Sequence, residues 1–319
     1  MGSLRSLWLP VLLAGACAGG ELEGREEAAA ERAGSGSASG SGSDSGWTRE
    51  LSLASGAFDV GRAPSVVVHA PPGFDGAGRP LRLVVFLHGW SCCARRLWGS
   101  GEVACRDGGR PGEGWGLGAR FAAAAPDALL VIPQLAFLTR DGGAGRFARR
   151  GGFRRFVREM LDALEGELGP VALDDLSPIT LLAHSAGYET ALAVIARGEI
   201  PVRHLVLFDA LYRGVEPFVQ WAGEDSARRL VSLHTGAGRT ARQSTRLARR
   251  SRRLLGDDAL WDHGDGEPAD ALADHRVVVG RTSVPHGRVP AHHLRALLEA
   301  LIPGTTGPGG RPSRLQSAP

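Results

Sequence analysis

The sequence predicts an α/β fold in which a mostly parallel sheet is covered by helices on both faces. Three observations lead there. Strand-like apolar runs alternate with stretches of helical periodicity along most of the chain. At least one run, LRLVVFLHG (81–89), has a continuous apolar centre, as expected of a strand buried on both faces. A serine flanked by small residues sits at a junction from strand to helix, in TLLAHSAGYETALAV.

The elements follow in order. SVVVHA (65–70) and 81–89 read as strands, and WGLGARFAAAA (115–125) as a helix stopped by Pro126. ALLVIP (128–133) is a strand. GFRRFVREMLDALEGEL (152–168) is a helix with Phe153, Phe156, Val157, Met160, Leu161 and Leu164 on one face. Strand 178–185 leads into helix 186–198, and VRHLVLFDA (202–210) and ARRLVSLHT (227–235) are two more strands. An arginine-rich helix, Thr240 to Leu255, precedes the last strand (274–281) and the closing helix (290–302). No internal repeat is visible.

The folded domain spans 47–303. With 319 residues and 43% hydrophobic content the chain can bury a sizeable core, and a net charge of +3 does not suggest a globally basic nucleic-acid binder. All basic residues are arginines. Residues 1–17 have the layout of an export signal: Arg5, a short apolar run from Leu7 to Ala16, then small residues. Its end, Leu13-Ala14-Gly15-Ala16-Cys17, resembles a bacterial lipoprotein box, which implies lipidation of Cys17 and membrane association; Ala14 departs from the preferred Leu. An ordinary secretory signal is the alternative. Residues 18–46 are a charged, then Gly/Ser-rich tether, and 304–319 a polar tail; neither has the apolar surface to offset ordering entropy. The expected location is the cell envelope or the exterior.

The chemistry concentrates at Ala183-His184-Ser185-Ala186-Gly187. Ser185 at the end of an apolar strand fits a sharp turn that lifts its hydroxyl above the sheet, and small residues two before and two after let strand and helix approach. An ordinary serine helix cap is the competing reading. Upstream, the strand 81–89 ends in His88-Gly89, followed by Trp90. On these motifs and the element order, the chain resembles the α/β-hydrolase superfamily over most of 47–303, in its eight-stranded form with a weak first strand. Ala183 stands where the superfamily usually has Gly.

The resemblance implies a serine hydrolase acting through an acyl-enzyme on Ser185, on an ester, thioester or amide. It implies an oxyanion hole from backbone N–H groups near Gly89 or Trp90 and at Ala186. The base must follow the last strand, where His286 stands; His234, His292 and His293 are rivals. The acid usually follows the strand before it, yet 236–253 holds no carboxylate. Asp209, ending the preceding strand, is the candidate, with Asp257, Asp258 and Asp262 as alternatives. No cofactor or metal is expected.

Cys92, Cys93 and Cys105 cluster after the His-Gly-Trp loop, where one pair could form a disulfide and leave one thiol free; Cys93 with Cys105 is preferred. The arginine-rich stretch 239–255 reads first as a solvated helix, and second as a basic face toward anionic lipid or an acidic substrate; without aromatics it does not suggest single-stranded nucleic acid. Phe218, Trp221 and Tyr212 are candidates for an acyl pocket or for the core. The expected partner is a small-molecule or acyl substrate. A fold without catalysis, used as a cell-envelope binding module, is the alternative function.

Overall fold

The computed structural model describes residues 46–76, 80–136, 143–236, 238–263 and 267–302. The expected signal with Cys17, all but the last residue of the tether, and the tail lie outside the described residues. The strands are β1 (Trp47–Leu51), β2 (Val66–Ala70), β3 (Arg82–Leu87), β4 (Glu102–Ala104), β5 (Pro111–Glu113), β6 (Ala128–Pro133), β7 (Ile179–His184), β8 (Val202–Phe208), β9 (Arg229–His234), β10 (Leu260–Asp262) and β11 (Val277–Arg281). The helices are α1 (Ala94–Trp98), α2 (Leu117–Ala124), α3 (Gly152–Ala163), α4 (Glu165–Leu168), α5 (Tyr188–Arg197), α6 (Val215–Gly223), α7 (Gly238–Leu255) and α8 (Val289–Leu301).

Nine strands form the main sheet in the order β1-β2-β6-β3-β7-β8-β9-β11-β10. β1 and β2 run antiparallel at one edge, and every pairing from β6 to β10 is parallel. The one strand beyond the eight expected is β10. It is three residues long, too short to leave a periodic signal.

Burial on both faces follows from the strand pleat. In β3, Leu83, Val85 and Leu87 face one apolar layer while Val84 and Phe86 face the other. Helices α3, α5, α6 and α7 cover the first face, and α1, α2 and α8 the second. Phe147, in the turn before α3, meets Phe156 and Phe153 with ring centroids 4.9 and 5.2 Å apart, which fixes that turn against α3.

The helix expected over 152–168 is interrupted. At Leu164 (φ −104, ψ 10) the backbone leaves helical geometry, and Gly166, a poor helix former, follows. Phe218 and Trp221 belong to the core beneath α6 rather than to a pocket, being 0% and 5% exposed. Cys93 pairs with Cys105 (Cα–Cα 5.7 Å), joining the start of α1 to the small β4–β5 hairpin. Cys92 is disulfide-bonded as well, so no free thiol remains among the described residues, contrary to the expectation of one.

Candidate active site

Three strand ends on the carboxyl side of the sheet supply the site. Such edges are where open α/β sheets bind ligands, because the loops there are free to carry polar groups. β7 is buried through its length, its apolar run broken by Thr180 and closed by His184; the residue that follows it, Ser185, has φ +53. A non-glycine residue with a positive φ is uncommon and holds the side chain in a fixed direction. The surroundings require small neighbours. A Cβ on Gly187 would lie 2.3 Å from the Leu87 carbonyl oxygen, and one on Gly89 would lie 2.7 Å from the Ser185 Cβ. Both glycines therefore permit the close approach of the β3 loop to the serine turn. Ala183 fits without any exposed surface, paired in register with Leu87 and Leu207.

Asp209 follows β8, also with a positive φ (+43), and is 4% exposed. His286 lies in the short turn between β11 and α8. The structure brings the two together: His286 Nδ1 lies 2.6 Å from Asp209 Oδ2. Asp209 also accepts from the Thr240 hydroxyl (2.5 Å), the Thr235 hydroxyl (3.1 Å) and the Thr235 N–H (3.3 Å). Burial pushes the Asp209 carboxyl up, but the hydrogen bonds from His286 and Thr240 outweigh it and hold the group below the usual carboxylate value. With Nδ1 facing Asp209, the imidazole has Nε2 left for the serine side. Among the described residues no hydrogen bond joins that nitrogen to Ser185, an edge that is often loose before substrate binds. The Tyr212 hydroxyl stands beside Ser185.

The loop after β3 is held by a buried network. His88 Nε2 accepts from the Leu135 N–H at 2.9 Å, so its proton resides on Nδ1, which donates to the Gly89 carbonyl at 2.8 Å. The Gln134 amide nitrogen lies 3.0 Å from the same Nε2, and its oxygen accepts from the Ala94 N–H. Because a trans peptide sets C=O and N–H in opposite directions, fixing the Gly89 carbonyl fixes the Trp90 N–H as well. His184 secures the other side: its Nε2 donates to the His286 carbonyl at 3.1 Å, and its ring packs between Trp115 and the His286 ring.

Burial drives His88 down to about 4; burial, and then the neighbouring His286, drive His184 down to about 3. Both are neutral in the folded chain at pH values where the unfolded chain, with its ordinary value of 6.5, takes up protons. Between 6.5 and the lowered values the unfolded state binds more protons, so stability falls as pH falls through that window. Going from about pH 7 to about pH 4.5 should cost on the order of 2 kcal/mol for each fully buried imidazole. The check is the urea midpoint at the two pH values; an unchanged midpoint would contradict neutral burial.

The rivals are engaged elsewhere. His234 bonds His263, and His293 bonds Thr282. His292 packs edge-on against His293. Asp257 pairs with Arg252 and Asp262 with His263, while Asp258 is met at its backbone carbonyl, not its carboxylate, by His275. Gly89 and Ala186 flank Ser185, in contact and in sequence respectively, while Trp90 is 42% exposed. Among the described residues no group of three or more His, Cys, Asp or Glu side chains is arranged to hold a metal ion. The sequence gives no sign of Thr235, Thr240 or Gln134; it offers His88 and His184 only as members of the two motifs, and Tyr212 only as a residue of an acyl pocket or the core.

No protein-family model matches the chain, and no curated protein matches it. Solved structures do. A serine-to-alanine variant of the feruloyl esterase module of Clostridium thermocellum, complexed with sinapinate, is 9% identical, over 81% of this chain and 88% of that one, with a TM-score of 0.52. A structure of FAE is 11% identical over 80% and 88%, with a TM-score of 0.51. At these identities the likeness concerns architecture: the chain has an α/β-hydrolase fold, and among the described residues there is no large lid domain.

Proposed function

We propose that this chain is a serine hydrolase that cleaves a carboxylic ester through an acyl-enzyme on Ser185. The observation that carries the reading is the 2.6 Å contact of His286 Nδ1 with Asp209, at the rim where Ser185 is held by a positive φ. Asp209 fixes the imidazole tautomer, leaving Nε2 to take the Ser185 proton as Oγ attacks the acyl carbon. The oxyanion that forms is met by the N–H groups of Ala186 and Trp90, the latter aimed by His88 through the Gly89 carbonyl. His286 then passes the proton to the leaving alcohol. In the second half a water, deprotonated by the same nitrogen, attacks the acyl-enzyme, and the carboxylic acid leaves as Ser185 recovers its proton.

The connection from β8 to β9 contains only α6, and the Tyr212 hydroxyl stands beside Ser185, which is itself 8% exposed. Thioesters and amides would follow the same steps with a different leaving group. The Cys93–Cys105 disulfide supports the export reading of residues 1–17, and a mass spectrum of the mature N-terminus tests it by locating the cleavage site.

A fluorophosphonate probe tests the activity. It should label the protein within minutes at a single site, Ser185, by peptide mapping, and acid-denatured protein should not react. Absence of labelling in a folded sample would favour the non-catalytic binding module.

A further inference from the structure

α7 has eighteen residues, among them seven arginines and no acid. Thr240, Ser244, Leu247, Ala248 and Ser251 make its buried edge. On the opposite side Arg239, Arg242, Arg246, Arg249 and Arg253 recur at intervals of three, four, three and four residues, and all five are exposed. At helical pitch they fall within an arc of about 80° and form a single file about 21 Å long. Arg246 has a 3.4 Å contact with Glu216; the other four have no carboxylate partner among the described residues. The two remaining arginines point sideways to acids on either flank. Arg250 meets Glu216 of α6 at 2.6 Å, and Arg252 meets Asp257 at 2.6 Å, with Asp262 at 4.0 Å.

Like charges three and four residues apart destabilise a helix, and nothing within α7 relieves them. An array of anions on the outer face would. Guanidinium groups suit that role, since each pairs with a carboxylate or sulfate through two parallel hydrogen bonds. We infer that the file is a binding surface for a linear polyanion, a chain polymer bearing repeated carboxylate or sulfate groups. Its width decides against a flat surface. An anionic bilayer broad enough to cover the file would also press on Glu216, Asp257 and Asp262, whereas one polymer strand meets the arginines alone. The file itself offers no apolar side chain for insertion; Leu254, 49% exposed, stands at its end. α7 also has no aromatic ring on which bases could stack. The file starts beside the candidate active site, because Thr240, next to Arg239, is the residue whose hydroxyl holds Asp209.

The test is a binding titration on the full-length protein with labelled heparin and with polygalacturonate, in about 50 mM salt and again in about 300 mM. Binding should weaken steeply with salt. Changing Arg239, Arg242, Arg249 and Arg253 together to Gln should weaken it by about 30-fold or more. A matched control, Arg62, Arg106, Arg110 and Arg120 to Gln, removes the same charge from exposed positions elsewhere and should change it by less than about 3-fold. Removing like charges relieves the helix, so the file variant should fold and keep its turnover of a small p-nitrophenyl ester. Ser185→Ala should bind as the unaltered chain does, which separates this inference from the catalytic reading. Equal losses in both four-site variants would reduce the effect to net charge and overturn it. So would the absence of polymer binding, or file-dependent binding to phosphatidylglycerol vesicles or single-stranded DNA in place of these polymers.

Discussion

Ser185→Ala should abolish turnover of a p-nitrophenyl ester while leaving the protein folded. Loss of a triad nucleophile typically lowers the rate by about a million-fold, because no other group can form the covalent intermediate. The fold should survive for two reasons. Alanine at φ +53 is no more strained than serine, and it keeps the small side chain that the close approach of Gly89 to position 185 requires. Matching far-ultraviolet circular dichroism and urea midpoints would establish that the variant is intact. Turnover within about tenfold of the unaltered chain, in a folded Ser185→Ala protein, would rule out the mechanism proposed here.

The second large effect concerns the acid. Asp209→Asn keeps the shape of the side chain and is tolerated at φ +43, a conformation that Asn adopts more readily than most residues. Its amide, however, favours the wrong imidazole tautomer, and in the best-studied triad this change lowers kcat by about four orders of magnitude. A comparable fall is expected here, together with slowed labelling by a fluorophosphonate. The same change at Asp257, Asp258 or Asp262 should do little. If Asp209→Asn left kcat within about tenfold, the orienting role would belong to another group.

How much of this could be read from the sequence depends on how local each signal is. Ser185, Gly89 and the strand–helix order are written in short contiguous segments, since a sharp turn, a close backbone approach and a buried strand each demand particular residues in place. His286 and Asp209 need the element order as well, and Asp209 stands out because 236–253, the segment after β9, holds no carboxylate. What the sequence leaves silent is reciprocity. A threonine such as Thr240 becomes a donor to Asp209 only when α7 packs against β9, and the tautomer of His88 is decided by Leu135, forty-seven residues away. Phe218 and Trp221 illustrate the same limit, for composition alone cannot tell a pocket wall from a core contact. β10 and the β4–β5 hairpin are too short for any periodicity to reveal.

The positive φ values at Ser185 and Asp209 also bear on which sequences this fold could accept. Two neighbouring strands, β7 and β8, each end in a backbone state that β-branched residues enter only as outliers. Threonine, chemically the nearest substitute for serine, is therefore a poor replacement at 185, while cysteine and alanine are sterically acceptable. Glycine would relax both positions and would be compatible with the architecture at either. The set of sequences that fold this way is accordingly wider than the set that keeps Ser185 and Asp209, and relatives could lose both side chains without losing their shape.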